Sequence, residues 1–148
     1  MLLRISSPEK RIYEGNVEKV TIPTEAGEIT ILPHHQPLSS VVRPWLLRLK
    51  PEQLDASEWY IISQWEITIS LSKGVLFVDG ENIIITTAAA TTSPEESEEV
   101  LLKMRADMEA QLEKIKVDGS VEDLEKAMIN LQKITADLRL VKLKHVKN

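Results

Sequence analysis

Lys73-Gly74-Val75-Leu76-Phe77-Val78-Asp79-Gly80-Glu81-Asn82-Ile83-Ile84-Ile85 holds two short apolar runs around a turn. Val75 to Val78 and Ile83 to Ile85 are too short for helices and rich in β-branched residues, so they read as strands. Between them, Asp79-Gly80 is a strong turn signal, because glycine takes positive φ without a Cβ clash. Neither run alternates apolar with polar. The pattern predicts a hairpin buried on both sides, or one whose second side is buried by a partner.

Working outward, Ile67-Thr68-Ile69-Ser70-Leu71-Ser72 alternates strictly, placing Ile67, Ile69 and Leu71 on one face and hydroxyls on the other. That strand is expected to have one wet side. Further strands are expected over Leu2 to Ser7, Val17 to Ile22, Ile29 to Ile31, Ser40 to Arg43, Leu46 to Lys50 and Trp59 to Ser63. Pro8, Gly15-Asn16, Pro23 through Gly27, Pro33 through Pro37, and Pro44 separate them. A series of about ten short strands with regular turn signals points to an antiparallel β-sandwich or flattened barrel.

The period changes after Thr87. Ala88 to Thr92 carries no clear pattern, and Ser93-Pro94-Glu95-Glu96 reads as a helix start with Ser93 as N-cap, Pro94 at the first position and Glu96 completing a capping box. Leu101, Met104, Met108, Leu112 and Ile115 form the stripe of a first helix, which Asp118-Gly119 stops. Ser120 then caps a second, whose stripe is Val121, Leu124, Met128, Leu131, Ile134, Leu138 and Val141. So short a connection predicts an antiparallel helical hairpin packed stripe to stripe. The expected organisation is therefore a sandwich over 1–88 and a two-helix hairpin over 93–148. A hairpin this thin buries little per residue, so undocking or extension is expected to be accessible to it.

At 148 residues with 43% hydrophobic content, the chain can build a core without staples. It holds no cysteine, which excludes a disulfide framework and thiolate metal sites. Met1 to Glu9 does not read as a secretion signal, and no apolar run approaches the roughly 18 residues of a spanning helix, so any membrane link is expected to run through a partner. The net charge of -5 argues against a nucleic-acid binder. Charge is nevertheless uneven, since Glu95 to Lys116 is acid-rich while Lys133, Arg139, Lys142, Lys144 and Lys147 face the single acid Asp137 near the end.

Gly27-Glu28-Ile29-Thr30-Ile31-Leu32-Pro33-His34-His35-Gln36-Pro37-Leu38 resembles the signature loop of the ε subunits of F-type ATP synthases, Gly-Glu-x-Gly-Ile/Val-Leu-Pro-x-His-x-Pro-Leu. Thr30 replaces the second glycine. The Gly74 hairpin is similar to the family's Gly-Gly hairpin, with Lys73 in place of the first glycine, and Ala136-Asp137-Leu138-Arg139-Leu140-Val141 looks like its Ala-x-Leu-Arg-Val stretch. Pro44-Trp45 stands where the family has Pro-Gly, and Pro51 to Trp65 is longer than its usual connection. Trp59 and Trp65 in that insertion are read as packing or edge cover.

The resemblance implies a non-catalytic rotor subunit of the central stalk, whose sandwich binds the γ subunit and the membrane c-ring. Glu28 falls at the position that faces the ring, and His35 at the position that packs against γ. Arg139, Lys142 and Lys144 fall where bases meet the catalytic α/β subunits when the hairpin extends, which would restrain ATP hydrolysis. The implied location is peripheral, on the cytoplasmic face of a bacterial membrane or its organellar equivalent. Some members bind ATP through Ile/Leu-Asp-x-x-Arg-Ala, but the counterpart Glu98-Glu99-Val100-Leu101-Leu102-Lys103 has Leu102 in place of the arginine. Without that guanidinium fork no nucleotide, and no other cofactor, is expected.

The residues themselves suggest little chemistry. His34-His35 invites a metal, yet neighbours in an extended loop point apart and the third histidine, His145, is far along the chain. No Gly-x-Ser-x-Gly elbow, paired carboxylates or phosphate loop is present. Bases at the end of the second helix also have a plainer reading as complements to its dipole. The rival to the rotor reading is a free-standing adaptor, its sandwich binding a peptide or ligand and its hairpin making coiled-coil contacts.

Overall fold

The computed structural model describes residues 1–54 and 60–146, the last two of these by backbone alone. Ten strands precede two helices. They are β1 (Leu2–Ser6), β2 (Arg11–Thr24), β3 (Gly27–Ile31), β4 (Leu38–Val42), β5 (Trp45–Pro51), β6 (Ile61–Ser63), β7 (Glu66–Leu71), β8 (Gly74–Val78), β9 (Asn82–Thr87) and β10 (Ala90–Thr91). The helices are α1 (Glu98–Asp118) and α2 (Val121–Val146). Part of the strand expected over Trp59 to Ser63, including Trp59, lies outside the described residues, as does Lys147.

One layer is ordered β2-β1-β9-β8-β4, the other β3-β2-β5-β7 with β6 and β10 at its far edge. Strand β2 serves both. Its residues 11–16 pair with β1 and its residues 17–24 with β3 and β5. Gly15-Asn16, expected to end a strand, therefore marks a change of partner, with a register shift between Val17 and Lys19. Pairing is antiparallel except between β1 and β9, which run parallel in register from Leu2↔Asn82 to Ser6↔Thr86. Between the layers lies the main core, which includes Leu3, Ile5, Ile22, Leu47, Leu49, Ile69, Leu71, Leu76 and Ile85.

The hydroxyl face of β7 is not wet. Thr68 and Ser70 are buried, because α2 crosses β5, β6 and β7 on that side. Ala136 and Leu140 of α2 pack with Leu46 and Ile61, bordered by Trp45 and Leu143. Small side chains on the strand and Ala136 on the helix allow this approach. Leu140, fully buried there, stabilises docking by about 1.5–3 kcal/mol. Trp45, where the resemblance expects glycine, adds to this seat.

The two helices pack along Leu101, Ile134, Leu138 and Val141, with Met108 partly buried beside them. Away from the sheet the expected stripe opens, and Val121 and Met128 are exposed. Helix α1 starts four residues later than expected. Its N-cap is Ser97, whose side chain accepts from Val100 N and which sets Glu98 and Glu99 in the first turn. Both serines have the chemistry for capping and each is followed within one turn by two glutamates that suit the positive end of the dipole, so local sequence does not separate them. Ser120 Oγ likewise accepts from Asp123 N, 3.1 Å away, at the start of α2.

Candidate interaction surfaces

The β8–β9 hairpin buries only one of its faces. Leu76, Val78, Ile83 and Ile85 enter the core, whereas Val75 and Phe77 are 57% and 50% exposed and Ile84 is half-buried beside them. Burial on both sides by this chain is thus excluded. Gly74 fixes where the hairpin begins, since a Cβ there would lie 2.2 Å from Thr86 O. At the turn, Asp79 Oδ1 accepts from Asn82 N at 2.7 Å and from Glu81 N at 3.0 Å. Those backbone donors hold the Asp79 carboxyl below its usual range, because they bond its charged form.

The loop after β3 leans on that same turn. His34 adopts φ 68°, the left-handed region, which lets His35 N donate to Leu32 O at 3.1 Å. His35 Nδ1 lies 2.8 Å from Gln36 O, and its carbonyl approaches Gly80. Glu28, the second residue of β3, is exposed, while His35 follows the strand's far end. The two therefore sit at opposite ends of β3 and do not form one site. Thr30, the departure from the signature, lies on β3 with Oγ1 3.1 Å from Thr21 Oγ1, a place that needs no glycine.

Arg139 and Lys142 are exposed on α2 and belong to neither of its two buried clusters. Lys144 is exposed too, and with Val141 borders a cleft of about 490 Å³ lined by Pro94, Glu95, Glu96, Ser97, Glu98 and Glu99. Among the described residues, no three of His, Cys, Asp and Glu converge as metal ligands, and no helix is long and apolar enough to cross a membrane.

The model of the ATP synthase delta/epsilon chain β-sandwich domain matches residues 1–93. The chain belongs to the ATP synthase delta/epsilon chain family. A relative named ATP synthase epsilon chain, from Neisseria meningitidis, is 30% identical over 128 residues, 86% of this chain and 85% of its own length. Another, the chloroplastic epsilon chain of Bigelowiella natans, is 31% identical over 56% of this chain and 59% of its own. This kinship favours an F-type ATP synthase epsilon chain over the free-standing adaptor.

The fold of a delta/epsilon chain recurs in solved assemblies. A chain of the Euglena gracilis mitochondrial ATP synthase aligns with TM-score 0.69 and 18% identity, covering all of this chain and 81% of its own length. One from the Tetrahymena thermophila mitochondrial ATP synthase central stalk and c-ring aligns with TM-score 0.59 and 13% identity, covering 95% and 96%. Both alignments extend through the helices.

Two features of the sites escaped the sequence reading. The sheet-facing stripe Ala136, Leu140 and Leu143 has helical spacing, but it lies beside the stronger stripe that meets α1. Trp65, expected to pack or cover an edge, is 69% exposed, at a two-residue turn where Gln64 and Trp65 have φ 52° and 68°. Tyr60 takes the packing role instead, edge-on to Tyr13 at 5.9 Å between centroids. Desolvation of both phenols raises their pKa values.

Proposed function

We propose that this chain is a non-catalytic epsilon-type subunit in the rotor of an F-type ATP synthase, joining the shaft to the membrane ring. The observation that carries the reading is the bare apolar strip of Val75 and Phe77 on a sandwich of this family. Exposed patches of this kind mark partner surfaces. Residues 1–88 act as the gripping body and 93–148 as a regulatory hairpin.

The γ subunit covers the β8–β9 face and the loop carrying His35, while Glu28 meets the c-ring. When the hairpin leaves the sheet, Arg139, Lys142 and Lys144 contact acidic segments of the catalytic α/β subunits and oppose rotation in the hydrolysis direction. Helix α2 supports this picture, because those bases are already free of the docking seat. The subunit works at the surface of the membrane-bound complex, on the cytoplasmic side in a bacterium or its organellar counterpart.

Co-expression with γ and the ring tests the partner assignment. The wild-type chain is expected to co-purify with both, and Val75→Ser/Phe77→Ser to lose γ while keeping its own stability. Equal recovery of γ by both proteins contradicts it.

A further inference from the structure

We propose that Lys133 and Asp137 form a release device, a largely buried ion pair that lets α2 leave the sheet without stranding a charge. The inference rests on the hairpin's proposed braking role and names how docking is kept weak. Lys133 Nζ donates to Asp137 Oδ1 at 2.6 Å and to Thr91 Oγ1 in β10 at 2.8 Å. Their side chains are only 13% and 17% exposed, and the other described bases of α2 are all exposed. The helix is thus seated by two unlike contacts, an apolar one at Ala136 and Leu140 and a polar one at Lys133.

The position of the pair matters. Both partners lie on α2, four residues apart, so the pair travels with the helix and persists in water as an ordinary i, i+4 pair. Undocking breaks one hydrogen bond, to Thr91, which water replaces. Asp137 also lines a cleft of about 510 Å³ with Lys10, Thr92, Ser93, Glu95 and Glu96, which gives water a path to the pair as the seat opens. A buried ion pair is poor glue, since apolar residues of similar volume hold at least as well, whereas removing one partner alone leaves an uncompensated charge. Placing such a pair against Thr91, the last residue of β10 before the chain runs on to α1, makes the docked state reversible.

Hydrogen exchange on the full chain tests this, with the amides of β1 and β2 as the reference for an intact sheet. Lys133→Met with Asp137→Leu is expected to slow exchange over residues 134–143 at least tenfold. Asp137→Ala alone is expected to speed it by a similar factor. The exposed pair Glu122 and Lys126, 3.8 Å apart on the same helix, controls for helix propensity, and Glu122→Leu with Lys126→Met is expected to stay within twofold of wild type. A double variant at 133 and 137 that exchanges no more slowly than wild type, or than that control, overturns the proposal. Slowed exchange with unchanged ATP hydrolysis in the reconstituted complex would keep the release device and remove the braking role.

Discussion

Arg48 Nη2 lies 3.0 Å from Glu28 Oε1, tying β5 to β3 across the strand between them. Both side chains are close to half exposed, so the pair contributes about 0–1 kcal/mol. Arg48→Ala is expected to leave thermal unfolding nearly unchanged. Its effect should appear in ATP-driven proton pumping by the reconstituted complex, where it weakens coupling in the same direction as Glu28→Gln. Full pumping with both variants contradicts a ring-facing role for Glu28.

Leu140 is fully buried in the seat between α2 and the sheet. Leu140→Ala removes that contact and is expected to weaken docking by about 2–5 kcal/mol. Amides of residues 134–143 then exchange faster, while those in β1 and β2 keep their protection. Loss of protection in both sets would mean that helix and sheet unfold as one unit.

Gly74 leaves no room for a side chain, with Thr86 O at 2.2 Å and Thr87 Cα at 2.9 Å from an added Cβ. Gly74→Ala must push β8 and β9 apart and is expected to cost about 1–3 kcal/mol, read as a lower urea midpoint. An unchanged midpoint would show that this edge yields freely.

Asp79 supplies a pH-dependent element. Its carboxyl, bonded by the N–H groups of Asn82 and Glu81, titrates below its ordinary 3.8 in the folded chain. Its contribution is present above about that ordinary value and disappears as pH falls through the lower folded one. Wild type is therefore expected to exceed Asp79→Asn in stability at pH 7, with the gap closing below about pH 4. Parallel stability curves across that range count against the turn's role.

The strands were legible because β-structure leaves a period-two trace and its turns carry Gly, Pro and Asp, as at Asp79-Gly80. Less legible was what covers each face. The hydroxyls of Thr68 and Ser70 read as a wet surface, since nothing local in β7 records that Ala136 and Leu140, more than sixty residues away in sequence, settle over them. Gly15-Asn16 misled for a related reason, because a strand that changes partner uses the same residues as one that ends. For the proposed contacts, Glu28 and His35 were named by resemblance, and only the fold places them at opposite ends of one strand. The polar seat at Lys133 went unseen because its acceptor, Thr91, is brought near by tertiary structure alone.

If a strand-built body holds the shaft while a lightly seated hairpin restrains hydrolysis, assembly needs only the body and restraint needs the hairpin. The most direct measurement is ATP hydrolysis by the complex reconstituted with the whole chain, and with a chain ending after Ser93. The account predicts that the shortened chain still joins γ and the ring and that hydrolysis rises. Equal rates in two fully assembled complexes would contradict it.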